Sequence, residues 1–183
     1  MNYASEFAEA VERSKKFDLD PPEFRFNLTH RWFDENRLAR FPHVLREGLG
    51  ELELEEVMAQ CLSINYRLRS VVQAWLGCPV LYTLGWIDDE TERGMFRFDD
   101  VFIADMLRTG HKGGSVNIHA WLTLPSMEII DVSLATTMGF AQKRPEMLGL
   151  AITRPADELN GMAYKPMLVG DEFLCKTGML IEW

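Results

Sequence analysis

Cys61, His119 and Asp131 are the side chains of this sequence whose types, taken together, could do nucleophilic chemistry. A thiolate attacks, an imidazole moves the proton, and a carboxylate fixes the tautomer of the imidazole and stabilises its charged form. His119 and Asp131 fall in the clearest alternating stretch of the chain, residues 115–133. Val116, Ile118, Ala120, Leu122 and Leu124 alternate there with Asn117, His119, Trp121 and Thr123. A three-residue loop at 124–126, followed by a returning strand through Glu128 to Ser133, would set Ile118 opposite Val132 and Ala120 opposite Ile130. On the other face it would set Trp121 opposite Ile129 and His119 opposite Asp131. Directly opposed residues have Cβ atoms roughly 5 Å apart, within reach of an imidazole–carboxylate hydrogen bond. A slip of one residue would turn Ile130 and Val132 onto the polar face, so the pattern favours His119 and Asp131 as neighbours. The imidazole then needs a nucleophile from another element, and Cys61 is the natural candidate. Near an imidazole and at a helix N-terminus, a thiol loses its proton more readily.

The elements that must position these groups are partly legible. Residues 51–76 contain neither Gly nor Pro and are rich in strong helix formers. Val57, Cys61, Ile64, Leu68, Val71, Val72 and Trp75 recur at three- and four-residue steps, predicting one long helix with a buried stripe and Gly77 at its end. Nothing interrupts the helical pattern before Cys61, unless the chain turns near Met58-Ala59-Gln60. Residues 79–87 read as a strand. The stretch 95–108 is compatible with strand or helix, and Gly110-His-Lys-Gly-Gly-Ser115 is a flexible connection without the ending of a phosphate loop. A last pair of strands is expected at 164–169 and 173–182. At the other end, residues 4–17 read as a helix with Phe7, Val11 and Phe17 on one side, stopped by Pro21-Pro22. Residues 23–50 read as short helical turns. No repeat or linker divides the chain, so a single domain over 1–183 is expected, with 1–50 as an extension or lid.

A cysteine leading an amphipathic helix, then Gly-Cys-Pro-Val-Leu-Tyr-Thr-Leu-Gly-Trp-Ile, then His-Ala-Trp-Leu and a downstream Ile-Ile-Asp, resembles the transglutaminase-like branch of the papain-like thiol enzymes. The resemblance covers roughly residues 55–135. It implies an α+β fold, with N-terminal helices packed on a mainly antiparallel sheet. It also implies a cysteine-dependent acyl-group enzyme: Cys61 as nucleophile, His119 as general base and acid, and Asp131 as its orienting partner. The backbone N–H of Cys61 would donate to the oxyanion, and Gln60 is the side chain placed to offer a second donor. The substrate class implied is a peptide or small amide, cleaved through a thioester by water or passed to an amine, with no cofactor. The chain departs from the family in two ways: the family's glutamine donor usually lies further upstream, and its cysteine opens a helix.

Other readings of the same residues stand beside this one. A lone cysteine on an apolar stripe is usually core, and His119 tied to Asp131 also suits a structural histidine. The fold would then serve a non-catalytic binding protein. Trp121 reads as a packing residue before a substrate platform. Cys78 reads as core, with a fallback role as nucleophile, and Cys175 falls in the last expected strand. His30, His43 and His111 lack paired ligand spacing, so no metal site is expected.

Composition sets the frame. Hydrophobic types make up 47% and charged types 26%, an ordinary globular balance. Acidic residues outnumber basic ones 28 to 19, which argues against a nucleic-acid partner. Three widely spaced cysteines suit a reducing compartment. No apolar run approaches the roughly eighteen residues of a membrane span, and the acid-bearing N-terminus lacks a signal peptide's apolar region. The expected address is the cytoplasm.

Overall fold

The computed structural model describes residues 2–57 and 60–179. The chain is α+β. Five strands, β1 (Leu81–Asp88), β2 (His119–Thr123), β3 (Glu128–Asp131), β4 (Ile152–Pro155) and β5 (Ala163–Val169), form a sheet in the order β4-β3-β2-β1-β5. The pairs β1–β5, β2–β3 and β3–β4 are antiparallel. Two compact units are interleaved along the chain. The first takes residues 1–23, 83–119 and 156–183, and the second takes 24–82 and 120–155. The first fifty residues are thus divided between them.

In the first unit, helix α1 (Tyr3–Lys16) starts where the Asn2 side chain accepts the Ser5 N–H. Its buried stripe is Tyr3, Phe7, Ala10 and Ser14, at three- and four-residue steps, and it packs on β5. The expected stripe of Phe7, Val11 and Phe17 is rotated to admit Ser14. That hydroxyl donates to the Ala10 carbonyl at 3.0 Å and accepts the Val169 N–H at 2.9 Å, so helix and strand share a buried polar joint. Helix α5 (Asp100–Thr109) is capped by Asp99, whose carboxylate accepts the Phe102 N–H. This resolves the ambiguous stretch as a helix, preceded by a lone bridge between Met95 and Ile87. The strand expected at 173–182 is instead helix α7 (Glu172–Thr177), ended by Gly178 at φ 73°; residues 180–182 lie outside the described residues. A left-handed glycine that takes the N–H bond back to the Cys175 carbonyl is a helix C-terminus and outweighs the apolar composition.

In the second unit, residues 23–50 hold not short turns but a 15-residue helix, α2 (Glu35–Leu49), capped by Asp34. Pro42 sits inside it. It is tolerated on the exposed side, where the carbonyl it leaves unpaired can be hydrated. The single long helix expected over 51–76 is two: α3 (Leu54–Val57) and α4 (Cys61–Leu76). Gln60, at φ −106° and ψ 25°, is not helical, so Cys61 opens α4; Met58 and Ala59 lie outside the described residues. The C-terminal end is as expected, with Gly77 left-handed at φ 68°. Helices α2 and α4 pack together, and a Cβ at Gly48 would meet Val71 Cγ2 at 3.2 Å, tighter than nearly all real contacts. Phe33, Phe41 and Trp75 form an aromatic cluster with ring centroids 5.3–6.0 Å apart. Helix α6 (Leu134–Gln142) follows β3 directly.

Candidate active site

Cys61 is the first residue of α4 and is buried, 7% exposed. The N–H groups of a helix's first turn have no carbonyl one turn back to accept them, so this end carries partial positive charge. Cys61 therefore stands at the electropositive end of α4, a position that the uninterrupted sequence pattern does not show. Gln60 is exposed at the cap position. Its side-chain oxygen accepts the Ser63 hydroxyl at 3.2 Å, and it makes no side-chain bond to cap the helix.

The start of α4 is held by two side chains that the sequence reading passed over. Asn65, fully buried, lies one turn on from Cys61. Its amide nitrogen donates to the Cys61 carbonyl at 3.0 Å and to the Ala120 carbonyl of β2 at 2.9 Å. Among the described residues its side-chain oxygen, which is buried, has no hydrogen-bond partner. Tyr82, also fully buried, donates its hydroxyl to the Leu62 carbonyl at 2.9 Å. The signal for Asn65 was a polar residue on an otherwise apolar stripe, four residues after the candidate nucleophile.

The hairpin differs from the expected register by two residues. Leu122 pairs with Ile130 and Thr123 with Ile129. The loop is 125–127, not 124–126: the Leu124 N–H donates to the Glu128 carbonyl, and Met127 takes a left-handed φ of 65°. Carried on by one pair on the same face, this register sets Asp131 opposite Trp121, not opposite His119. A shift of two leaves each side chain on its own face, so the alternation could not detect it.

Asp131 is fully buried, and its Oδ1 accepts the Ser133 N–H at 2.9 Å, the Ser133 hydroxyl at 3.0 Å and the Leu134 N–H at 3.0 Å. It thereby satisfies the opening N–H groups of α6, where Ser133 makes no side-chain cap of its own. Trp121 is fully buried, which places it in the core and not on a substrate-facing surface. In the first unit, His119 is 2% exposed and its ring stacks on Phe96 at 5.0 Å and 22°, with Tyr164 at 6.4 Å.

Beside α4, the second unit lines a partly open cleft of about 420 Å³ with Leu45, Leu49, Ile64 and Val132, and with the charged Arg46 and Glu51. Such a volume is within the range of small-molecule sites. Ile64 is on the first turn of α4, and Val132 directly follows Asp131.

The other cysteines differ in kind. Cys78 is buried, and desolvation pushes its thiol from the usual 9.0 up to about 11, with nearby Arg37 opposing and Glu128 adding to the rise. That suits a core thiol better than a fallback nucleophile. Cys175 is exposed on α7. Among the described residues no group of three or more His, Cys, Asp or Glu side chains is disposed to hold a metal ion, and no helix is long and apolar enough to cross a membrane. Comparisons with family models, curated proteins and solved structures return no match to this chain.

Proposed function

We propose that this protein is a cysteine-dependent acyl-group enzyme on a papain-like, transglutaminase-like fold, hydrolysing a peptide or small amide in the cytoplasm. The observation that carries the reading is the Asn65 bridge. One amide group joins the main chain of Cys61, at the head of α4, to the carbonyl of Ala120, and the residue before Ala120 in the chain is His119. In the proposed reaction His119 takes the proton of the Cys61 thiol, and the sulfur attacks the amide carbonyl carbon. The Cys61 N–H stabilises the oxyanion. The C–N bond breaks as His119 returns the proton to the leaving amine. Water, deprotonated by His119, then attacks the thioester and releases the acid and the thiol. An amine in place of water would give acyl transfer. Asp131, one pair removed from His119 on the same strand face, would orient the imidazole as its diagonal neighbour, and the cleft flanking Ile64 gives an aliphatic part of the substrate room to bind.

Burial favours a second reading, a non-catalytic binding protein on the same fold. His119 lies against Phe96, and Asp131 is engaged at the start of α6. Iodoacetamide labelling of each thiol against pH, read by mass spectrometry, separates the two. The enzyme reading expects fast labelling of Cys61 at about pH 6, well below the range of an ordinary thiol, and its loss in His119→Ala. An ordinary profile for Cys61, unchanged by His119→Ala, would overturn the enzyme reading and leave the binding-protein one standing.

A further inference from the structure

We infer that Asn65 is a positioning residue for Cys61: it sets where the head of α4 stands against β2, and so tunes the reactivity of the thiol. This inference rests on the enzyme reading above and deepens it. In a regular helix the Cys61 carbonyl accepts the N–H of Asn65 itself, four residues on. Here it also accepts that residue's side-chain amide at 3.0 Å, and the second hydrogen of the same amide goes to the Ala120 carbonyl at 2.9 Å. Both donors of the amide are therefore spent on main-chain carbonyls, one on each element that the chemistry needs aligned. No apolar residue can make this joint. A carboxylate cannot either, since it has no hydrogen to give. The bridge is fully buried, where a hydrogen bond is stronger and its loss removes the side-chain tie between the head of α4 and the Ala120 carbonyl of β2.

The orphan oxygen shows that the site is not arranged for Asn65's own satisfaction. Oδ1 is buried with no hydrogen-bond partner among the described residues, a cost the fold would avoid with an apolar residue if stability alone chose the side chain. What the amide uniquely supplies is two donors from one rigid group. Tyr82 adds a second fixed point one residue on, through its bond to the Leu62 carbonyl at 2.9 Å. Two anchored carbonyls in succession fix both the axial position and the rotation of the first turn, and hence the direction of the Cys61 side chain.

The test is the pH profile of Cys61 labelling in Asn65→Leu, which keeps the branched shape and removes both bonds, with thermal melting measured alongside. Cys175 serves as the internal control in every variant. The expected result is a folded protein whose Cys61 labelling at about pH 6 falls by at least tenfold, equivalent to about one pK unit, while Cys175 is unchanged. Asn65→Asp, matched in shape but without the amide donors, should move the Cys61 profile to higher pH, and it decides the question if Asn65→Leu does not fold. Tyr82→Phe should produce a smaller shift in the same direction. A folded variant at position 65 that labels Cys61 with the native profile overturns the inference while leaving the enzyme reading intact. A native protein that shows no His119-dependent labelling of Cys61 overturns both.

Discussion

Asp131 Oδ1 accepts the backbone N–H of Leu134 at 3.0 Å, so the acid proposed to orient His119 also starts the helix that follows it. The two duties can be separated by substitution, because one needs an acceptor oxygen and the other a negative charge.

Asp131→Asn keeps an oxygen for Ser133 and Leu134, whereas Asp131→Ala leaves those N–H groups unpaired. The alanine variant should lose about 1–2 kcal/mol or somewhat more, the scale of a lost helix cap, and the asparagine variant clearly less. Both should lower the reactivity of Cys61 at mildly acid pH. Urea unfolding and thiol labelling on the same samples check the pair; equal destabilisation by Asn and Ala would refute the capping role.

Glu128 provides the second test. This buried carboxylate accepts the N–H groups of Trp32 at 2.8 Å and Phe33 at 3.0 Å, and the Ser126 hydroxyl at 2.6 Å. It fastens the segment before α2 to the turn of the β2–β3 hairpin. Glu128→Ala should cost at least about 3 kcal/mol, since each bond to a charged acceptor contributes about 1.5–3 kcal/mol. Glu128→Gln should cost less, because it keeps one acceptor. Faster proteolytic cleavage between residues 23 and 34 in Glu128→Ala is the accompanying sign.

Ser14→Ala removes a hydroxyl but no bulk. The Val169 N–H that Ser14 accepts would be left buried and unpaired, a loss of about 1–3 kcal/mol. Amide exchange at Val169 should accelerate by a corresponding factor. A variant as stable as the native protein would show that the joint between α1 and β5 is carried by packing alone.

Cys78 makes the stability depend on pH. Burial raises its folded pKa from 9.0 to about 11, so the unfolded chain gives up this proton first. The contribution is fully present below about pH 9 and is lost as pH climbs toward about 11. Cys78→Ala should flatten this alkaline decline relative to the native protein. The check is the denaturation midpoint measured at several pH values across that window.

The α+β class and most elements were legible in the sequence because hydrophobic period and glycine caps are local signals. The stripe through Cys61, Ile64, Leu68 and Val72 is buried as its spacing requires, and Gly77 ends the helix. The features nearest the proposed chemistry were less legible. The break before Cys61 has no Gly or Pro to announce it. The hairpin loop moved by one position because Met127, not a glycine, adopts the left-handed conformation that closes it. Alternation fixed the face of His119 and Asp131 but was blind to a slip of two. Helix α7 falls where a second strand around Gly170-Asp171 is expected, although Asp171 and Gly178 bracket it as helix ends. Helix α6 and strand β4 have no counterpart in the sequence reading; α6 buries Ala135, Thr136 and Gly139, small side chains that leave no amphipathic stripe.

The interleaving of the two units sets an order of assembly on a chain synthesised from its N-terminus. Helix α1 precedes its partner strand β5 by the whole of the second unit, and the Ser14–Val169 bond spans 155 residues. Until then Phe7 and Ala10 have no sheet to cover them. The second unit, begun later, has its last segment at Pro155 and can close while the first is still open. A released chain truncated after residue 155 should therefore protect β3 and α4 from protease while leaving α1 cleavable, with α1 sheltered only when β5 is present.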